Sequence, residues 1–277
     1  MQWLPIYIIK IPNSNRNPGL AKSLNTLGLK FQIQEAVVGN KLTSVQLVKN
    51  VNLRGCDARL GYKISKSLIG CGLSHRETYK KFLENGSDWA LILEEDVIIE
   101  DFNFSELFQA LEICNTTPTI IQLFTRSSRI MDEKSIVKLG SGTRIIFNFK
   151  PRLVGSGTSA YFINRLAAQK ALIDKKLDGA PDWPRWAQGV SQKGIYPWMV
   201  CESEIGSTIT LSSISHMSNL RRRLLQLTGI HYLTYFQEYS SPIAYFKEEI
   251  SPYLLYLYWR LRGSHYYLND VAGPQTF

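Results

Sequence analysis

Residues 89–100 read WALILEEDVIIE, an apolar run that breaks at three adjacent carboxylates and then resumes. A continuous rather than alternating run, Trp89 to Leu93, belongs to a strand covered on both faces, as in an α/β sheet. Glu94, Glu95 and Asp96 then sit where that strand leaves the core. In extended backbone, residues i and i+2 share a side about 6.6 Å apart at Cα, so Glu94 and Asp96 converge while Glu95 points away. Three carboxylates beside an apolar core repel one another and are costly to desolvate unless a cation, a helix N-terminus or water offsets them. A hard divalent ion such as Mn2+ or Mg2+ meets that need with oxygen ligands. A solvated acidic turn is the competing interpretation; position favours the ion, because open α/β sheets hold ligands at the carboxyl ends of their strands.

At 277 residues the chain is long enough for one large domain, or one domain with an appendage, with ample core. A net charge of +9 favours anionic partners. Cys56, Cys71, Cys114 and Cys201 are scattered and form no C-x-x-C pair, so the spacing indicates neither a zinc site nor a disulfide framework, and a reducing cytoplasm is the simplest setting. Leu4 to Ile9 is short, contains Pro5 and has no basic residue before it, which predicts a first strand and not a signal peptide. No apolar window reaches the roughly 18 residues of a spanning helix, so any membrane contact is peripheral.

The chain opens as βαβ. Ile6 to Ile9 makes a strand, 11–19 a loop carrying Arg16, Leu20, Leu24 and Leu27 a helix stopped by Gly28, and Phe31 to Val38 a second strand. Arg16, just past a strand's carboxyl end, suits a bidentate phosphate grip or a solvated loop position equally. Residues 40–66 are polar and predict an irregular excursion. From Ser67 to Glu84, Leu68, Cys71, His75, Tyr79, Phe82 and Leu83 fall on one helical stripe, with Asn85 and Gly86 as a left-handed stop. His75 on such a stripe is a core residue or a ligand. Ser105 is expected to cap a helix to Cys114, Thr119 to Phe124 and Arg144 to Phe149 to be strands, and Gly155 to Ile163 a strand with a glycine entry. That glycine pattern lacks the G-x-G-x-x-G order of a dinucleotide fold. Asn164 is expected to cap a helix over 165–176.

Residues 180–186, APDWPRW, set two tryptophans beside Asp182 in a proline-stiffened stretch. Flat aromatic faces next to a carboxylate suit a sugar, and they also suit a tryptophan-anchored structural loop. Tyr196 to Val200 and Ser207 to Ser215 predict edge strands with Glu202 and Glu204 between them. No internal repeat is present. From Leu220 a basic and aromatic tail begins, dividing the chain into 1–219 and a helical segment 220–277. That tail fits an anionic membrane interface or a cap packed on the rest of the chain.

Gly70-Cys71-Gly72-Leu73-Ser74-His75 followed by Leu91-Ile92-Leu93-Glu94-Glu95-Asp96-Val97 resembles the paired signature of glycosyltransferase family 25, the bacterial lipooligosaccharide glycosyltransferases, whose usual text is close to G-C-x-x-S-H and then L-E-D-D-V. Ala36-Val37-Val38-Gly39, Tyr161-Phe162-Ile163-Asn164 and Pro181-Asp182-Trp183 follow in the family's order, so the resemblance spans roughly residues 5–215. It implies a GT-A type nucleotide-sugar-binding domain with a mostly parallel sheet, a UDP-hexose donor, galactose most often, and a lipooligosaccharide or related glycan acceptor. The metal-binding D-x-D equivalent falls on Glu94 to Asp96, with Glu95 standing where the family generally has Asp. The family is similar to inverting enzymes, which need one base; Asp182 is the expected base, with Glu202 and Glu204 as rivals. Arg16, His75, Glu94 and Glu95 then serve the donor, Glu94 and Asp96 the metal, and Trp183 and Trp186 the acceptor sugar. A glycoside hydrolase would need a partner carboxylate distant from Glu94 and Glu95, and no helix-turn-helix or RNA-binding signature supports a nucleic-acid binder.

Overall fold

The computed structural model describes residues 4–14, 16, 18–53, 55–56, 64–100, 102–125, 131–140, 144–149, 157–179, 181 and 189–203. Within these, strands form at Ile6–Lys10 (β1), Gln32–Glu35 (β2), Trp89–Glu94 (β3), Val97–Ile99 (β4), Thr119–Gln122 (β5), Val137–Leu139 (β6), Arg144–Asn148 (β7), Ala160–Asn164 (β8), Ser191–Tyr196 (β9) and Val200–Glu202 (β10). The α-helices used below are Pro18–Thr26 (α1), Ser44–Asn50 (α2), Lys66–Asn85 (α3), Phe104–Ile113 (α4) and Arg165–Ile173 (α5).

Eight strands make one sheet in the order β2-β1-β3-β8-β5-β9-β7-β6, and β4 pairs with β10 in a separate two-stranded ribbon. The fold is mixed α/β. β2, β1 and β3 are mutually parallel, as are β5 and β9, whereas β8 runs antiparallel to both its neighbours and β7 to both of its own. The expected mostly parallel sheet therefore holds for strand direction, while the pairing is mixed: β8 is inserted head-to-tail between β3 and β5.

Both faces of the central strands are covered, which is why they read as unbroken apolar runs. Ile6, Ile8, Leu91, Leu93 and Phe162 pack on one face with Leu20 and Leu24 of α1 and Leu107, Ala110 and Leu111 of α4. Tyr7, Ile9, Ala90, Ile92, Tyr161 and Ile163 pack on the other with Tyr79 and Phe82 of α3 and Ala167, Ala168 and Ala171 of α5. The period-2 alternation of the strand thus sorts side chains between two cores.

Helix stops behave as the sequence predicts. Gly28 and Gly86 hold φ of 69° and 81°, and Asn164 accepts from Ala167 N to start α5. Elsewhere the structure corrects the expectation. Leu27 lies beyond α1 and is exposed. The second strand shortens to Gln32–Glu35, and the excursion contains α2, whose Thr43 and Gln46 form a reciprocal capping box. Asn103, not Ser105, caps α4 by accepting from Ser105 N and Glu106 N. α5 ends at Ile173. β6 and β9 went unforeseen because neither carries an apolar run. In β9, Gly194 lies opposite Phe147, where a Cβ would come within 2.5 Å of the ring, so the residue that reads as a turn is a packing requirement. Residues 196–200 are not one strand: β9 ends at Tyr196 and β10 begins at Val200. The expected strand 207–215 and the tail 220–277 lie outside the described residues. Among the described residues no helix is long and apolar enough to cross a membrane.

Candidate active site

α3 approaches the end of β2 more closely than a side chain allows. A Cβ on Gly70 would lie 2.4 Å from Val37 O and 2.7 Å from Gly39 N, and one on Gly39 would overlap Lys66 O. Ser74 completes the seam, accepting from Val37 N at 2.8 Å and donating to Gly70 O at 2.7 Å. On the same helix a Cβ on Gly72 would meet Leu177 Cδ1 at 2.9 Å. Gly70, Gly72 and Ser74 therefore hold the helix in place. That leaves Cys71 and His75, one turn apart, facing the carboxyl end of β3.

There His75 joins a chain of hydrogen bonds. Its Nδ1 lies 2.8 Å from Tyr161 Oη, whose other partner is Tyr79 Oη at 2.7 Å. Its Nε2 lies 3.2 Å from Glu94 Oε1, which also accepts from Thr158 Oγ1 at 2.8 Å. Cys71 Sγ is 3.9 Å from the same oxygen. Burial pushes both tyrosine hydroxyls well above their ordinary range, so they stay neutral and serve as donor or acceptor as the imidazole requires. Tyr161→Phe leaves His75 Nδ1 and Tyr79 Oη each without this partner in a buried site, and is expected to cost about 1–3 kcal/mol in chemical denaturation; a change inside measurement error would show that the relay contributes nothing.

The second part of the site lies one turn further on. Glu95 N donates to Ile9 O, so the carboxyl ends of β1 and β3 stand side by side. β4 and β10 pair with Val97 opposite Glu202, and Ser203 N donates to Asp96 O, which carries Glu202 up to the acidic turn. Burial first, then the negative charges of Glu94 and Glu202, push the Asp96 carboxyl up to about 6, opposed in part by a backbone hydrogen bond and by Arg16. Asp96 Oδ1 is buried and has no hydrogen-bond partner among the described residues, and neither oxygen of the buried Glu95 has one among them. A carboxyl whose proton affinity is raised by two neighbouring anions, and which carries an orphaned acceptor, fits a cation.

Of the residues expected from sequence, Arg16, Glu94, Glu95 and Asp96 gather here, and His75 is both core residue and partner of Glu94. The i, i+2 argument is modified: β3 ends at Glu94, and Glu95 and Asp96 form a turn. Glu94 and Asp96 still feel each other's charge, and Glu95 takes no part in the hydrogen bonds around Glu94. Glu202 joins the site. Asp182, Trp183, Trp186 and Glu204 lie outside the described residues. Thr158, Tyr161 and Tyr79 were missed as site residues. Tyr79 had a detectable signal, one turn beyond His75 on the same stripe; Thr158 and Tyr161 reach the site only because β8 pairs with β3. Cys71, His75 and Glu94 also place ligand atoms within 4.8 Å of one another, a juxtaposition that the spacing of the cysteines does not show and that the i, i+4 spacing of Cys71 and His75 makes possible.

No curated protein matches the chain. Among solved structures it is similar to one titled "Crystal Structure of A197 from STIV", at 14% identity over 69% of this chain and 81% of that one, with a TM-score of 0.39. Residues 3–176 match the model of glycosyltransferase family 25, described as LPS biosynthesis protein. That match takes in both halves of the site, the α3 motif and the acidic strand end, and more than half of the chain. The chain therefore belongs to glycosyltransferase family 25 and is a glycosyltransferase.

Proposed function

We propose that the chain is an inverting hexosyltransferase of GT-A type that moves a hexose, with galactose the first to try, from a UDP-sugar to a hydroxyl of a lipooligosaccharide or related glycan. The observation that carries this is the Asp96 turn, where a buried orphan oxygen stands among negative charges at the carboxyl end of β3. Asp96 and Glu94 would hold Mn2+ or Mg2+. When bound, such an ion supplies positive charge against the diphosphate that departs.

The chain's own residues do the rest. Arg16 binds a donor phosphate. His75 and Thr158 hold the Glu94 carboxylate in one orientation. Glu95 offers two buried acceptors to donor hydroxyls. Asp182 takes the proton from the acceptor hydroxyl as its oxygen bonds to the anomeric carbon from the face opposite the leaving group, and the UDP oxygen leaves with the electron pair of the broken bond. Glu202 and Glu204 are the alternative bases. Trp183 and Trp186 stack on the acceptor sugar. The segment 220–277 makes the peripheral contact with the anionic membrane surface that carries the acceptor.

Purified chain incubated with UDP-hexoses and a truncated lipooligosaccharide, with Mn2+ or with chelator, tests this directly. Transfer with UDP-galactose, stimulated at least tenfold by Mn2+, is expected; full activity and unchanged donor affinity in chelator would remove the metal. Asp182→Asn is expected to lower turnover by about 10²–10⁴-fold with donor affinity within twofold, and an unchanged rate would shift the base to Glu202 or Glu204.

A further inference from the structure

We infer that Cys71, His75 and Glu94 form a second metal site, one for a thiophilic divalent cation such as Zn2+, and that its occupation competes with the donor end of the site for Glu94. The inhibitory part rests on the functional proposal above; the binding part does not.

Two edges of the trio lie close to those of a tetrahedral site. Zinc bonds of about 2.0–2.3 Å place neighbouring nitrogen and oxygen ligands about 3.3 Å apart and sulfur and oxygen ligands about 3.5 Å apart. Here Nε2 and Oε1 are 3.2 Å apart, Sγ and Oε1 3.9 Å apart, and all three ligand atoms lie within 4.8 Å of one another, so side-chain movements on the order of 1 Å close the site. The helix supplies two ligands at i, i+4, and the third comes from a strand end fixed by the sheet. The Glu94 side chain is 25% exposed against 4% for His75, which leaves an open side for water or an incoming oxygen as fourth ligand.

The surrounding hydrogen bonds accommodate both states of the imidazole. Without metal, Nε2–H donates to Glu94, and Nδ1 accepts from Tyr161. With metal on Nε2, the proton moves to Nδ1 and donates to Tyr161, which in turn donates to Tyr79. Both tyrosine contacts, 2.8 Å and 2.7 Å, are compatible with either direction. A metal-bound histidine whose other nitrogen is held by a buried hydroxyl pair is the arrangement that raises ligand basicity and fixes ring orientation. The donor set separates this site chemically from the Asp96 turn: thiolate and imidazole select zinc-like ions, and carboxylate oxygens select Mn2+ and Mg2+. Glu94 belongs to both. Drawn toward Cys71 and His75, it is withdrawn from the ion beside Asp96.

Cobalt substitution reads this directly. The full-length chain titrated with Co2+ is expected to show the intense visible bands of tetrahedral cobalt and a thiolate-to-cobalt charge-transfer band, displaced by one equivalent of Zn2+. Cys71→Ser is expected to abolish the charge-transfer band and weaken Zn2+ binding at least a hundredfold, measured against a chromophoric chelator, while Cys201→Ser and Asp96→Asn retain both. In Mn2+-supported transfer, the Zn2+ concentration for half-inhibition is expected to rise at least thirtyfold in Cys71→Ser. A wild-type cobalt spectrum without a thiolate band overturns the site, and needs no variant. Equal Zn2+ affinity in Cys71→Ser and wild type overturns it as well. A thiolate band with no transferase activity would sink the functional proposal and leave the metal site standing.

Discussion

Asp96→Asn is expected to lower sugar transfer by at least about a thousandfold, and yet to make the metal-free protein more resistant to heat at neutral pH. The two effects share one cause. Burial and the charges of Glu94 and Glu202 push the Asp96 carboxyl up from 3.8 to about 6 in the folded chain. Between those values the folded state holds a proton that the unfolded state has released. Stability therefore falls as pH rises from about 4 to about 6, and above that window the ionised carboxylate costs its full amount. Because Asp96 is partly exposed, that cost is about 1–2 kcal/mol once solvent screening is allowed for, or a few degrees in Tm for a chain of this size. Asparagine carries no such charge. Thermal melts in chelator should put Asp96→Asn above wild type at pH 7 and level with it below pH 4, and Mn2+ should raise the melting temperature of wild type alone. A variant that melts below wild type at pH 7 in chelator would mean that Asp96 is held by favourable contacts rather than kept waiting for a cation.

Gly70→Ala is the largest stability effect expected from the site. Its Cβ would intrude on Val37 O at 2.4 Å and Gly39 N at 2.7 Å, both backbone atoms with no rotamer to change. Overpacking of this kind costs about 3 kcal/mol, set against about 1 kcal/mol gained from alanine's better helix propensity, so a net loss of about 2 kcal/mol is expected. Gly72→Ala meets only the methyl end of Leu177 at 2.9 Å, which a rotation relieves, and should lose less. Urea denaturation of the two variants ranks them. Equal stabilities, or Gly72→Ala the weaker, would show that the helix seam is not set by the Gly70 approach. Since the seam aims Cys71 and His75 at Glu94, Gly70→Ala should also weaken every property that depends on that trio.

Much of this architecture follows from short-range rules that the sequence states openly. Five apolar residues ending in Glu94-Glu95-Asp96 read as a strand buried on both faces, because an unbroken apolar run of strand length has to be covered on both sides, and open α/β sheets hold ligands at the carboxyl ends of such strands. Gly28, Gly86 and Asn164 terminate or begin helices through backbone conformation and capping that need only their immediate neighbours. The family signature, which joins α3 to β3 across some twenty residues, was legible for the same reason. β9 was not, since its Ser191-Gln192-Lys193-Gly194 becomes a strand only between β5 and β7, and Gly194 only because Phe147 lies across from it.

By itself, then, the sequence determined the acidic strand end, the helix that serves it and the glycosyltransferase identity of the chain. Tertiary structure alone decided which groups Glu94 and Asp96 meet. Thr158 and Tyr161 arrive through the antiparallel insertion of β8 beside β3, and Glu202 through the pairing of β10 with β4, a hundred residues along the chain. Those partners are set by sheet register, which is fixed by the burial of whole faces and leaves no mark in the residues next to the site.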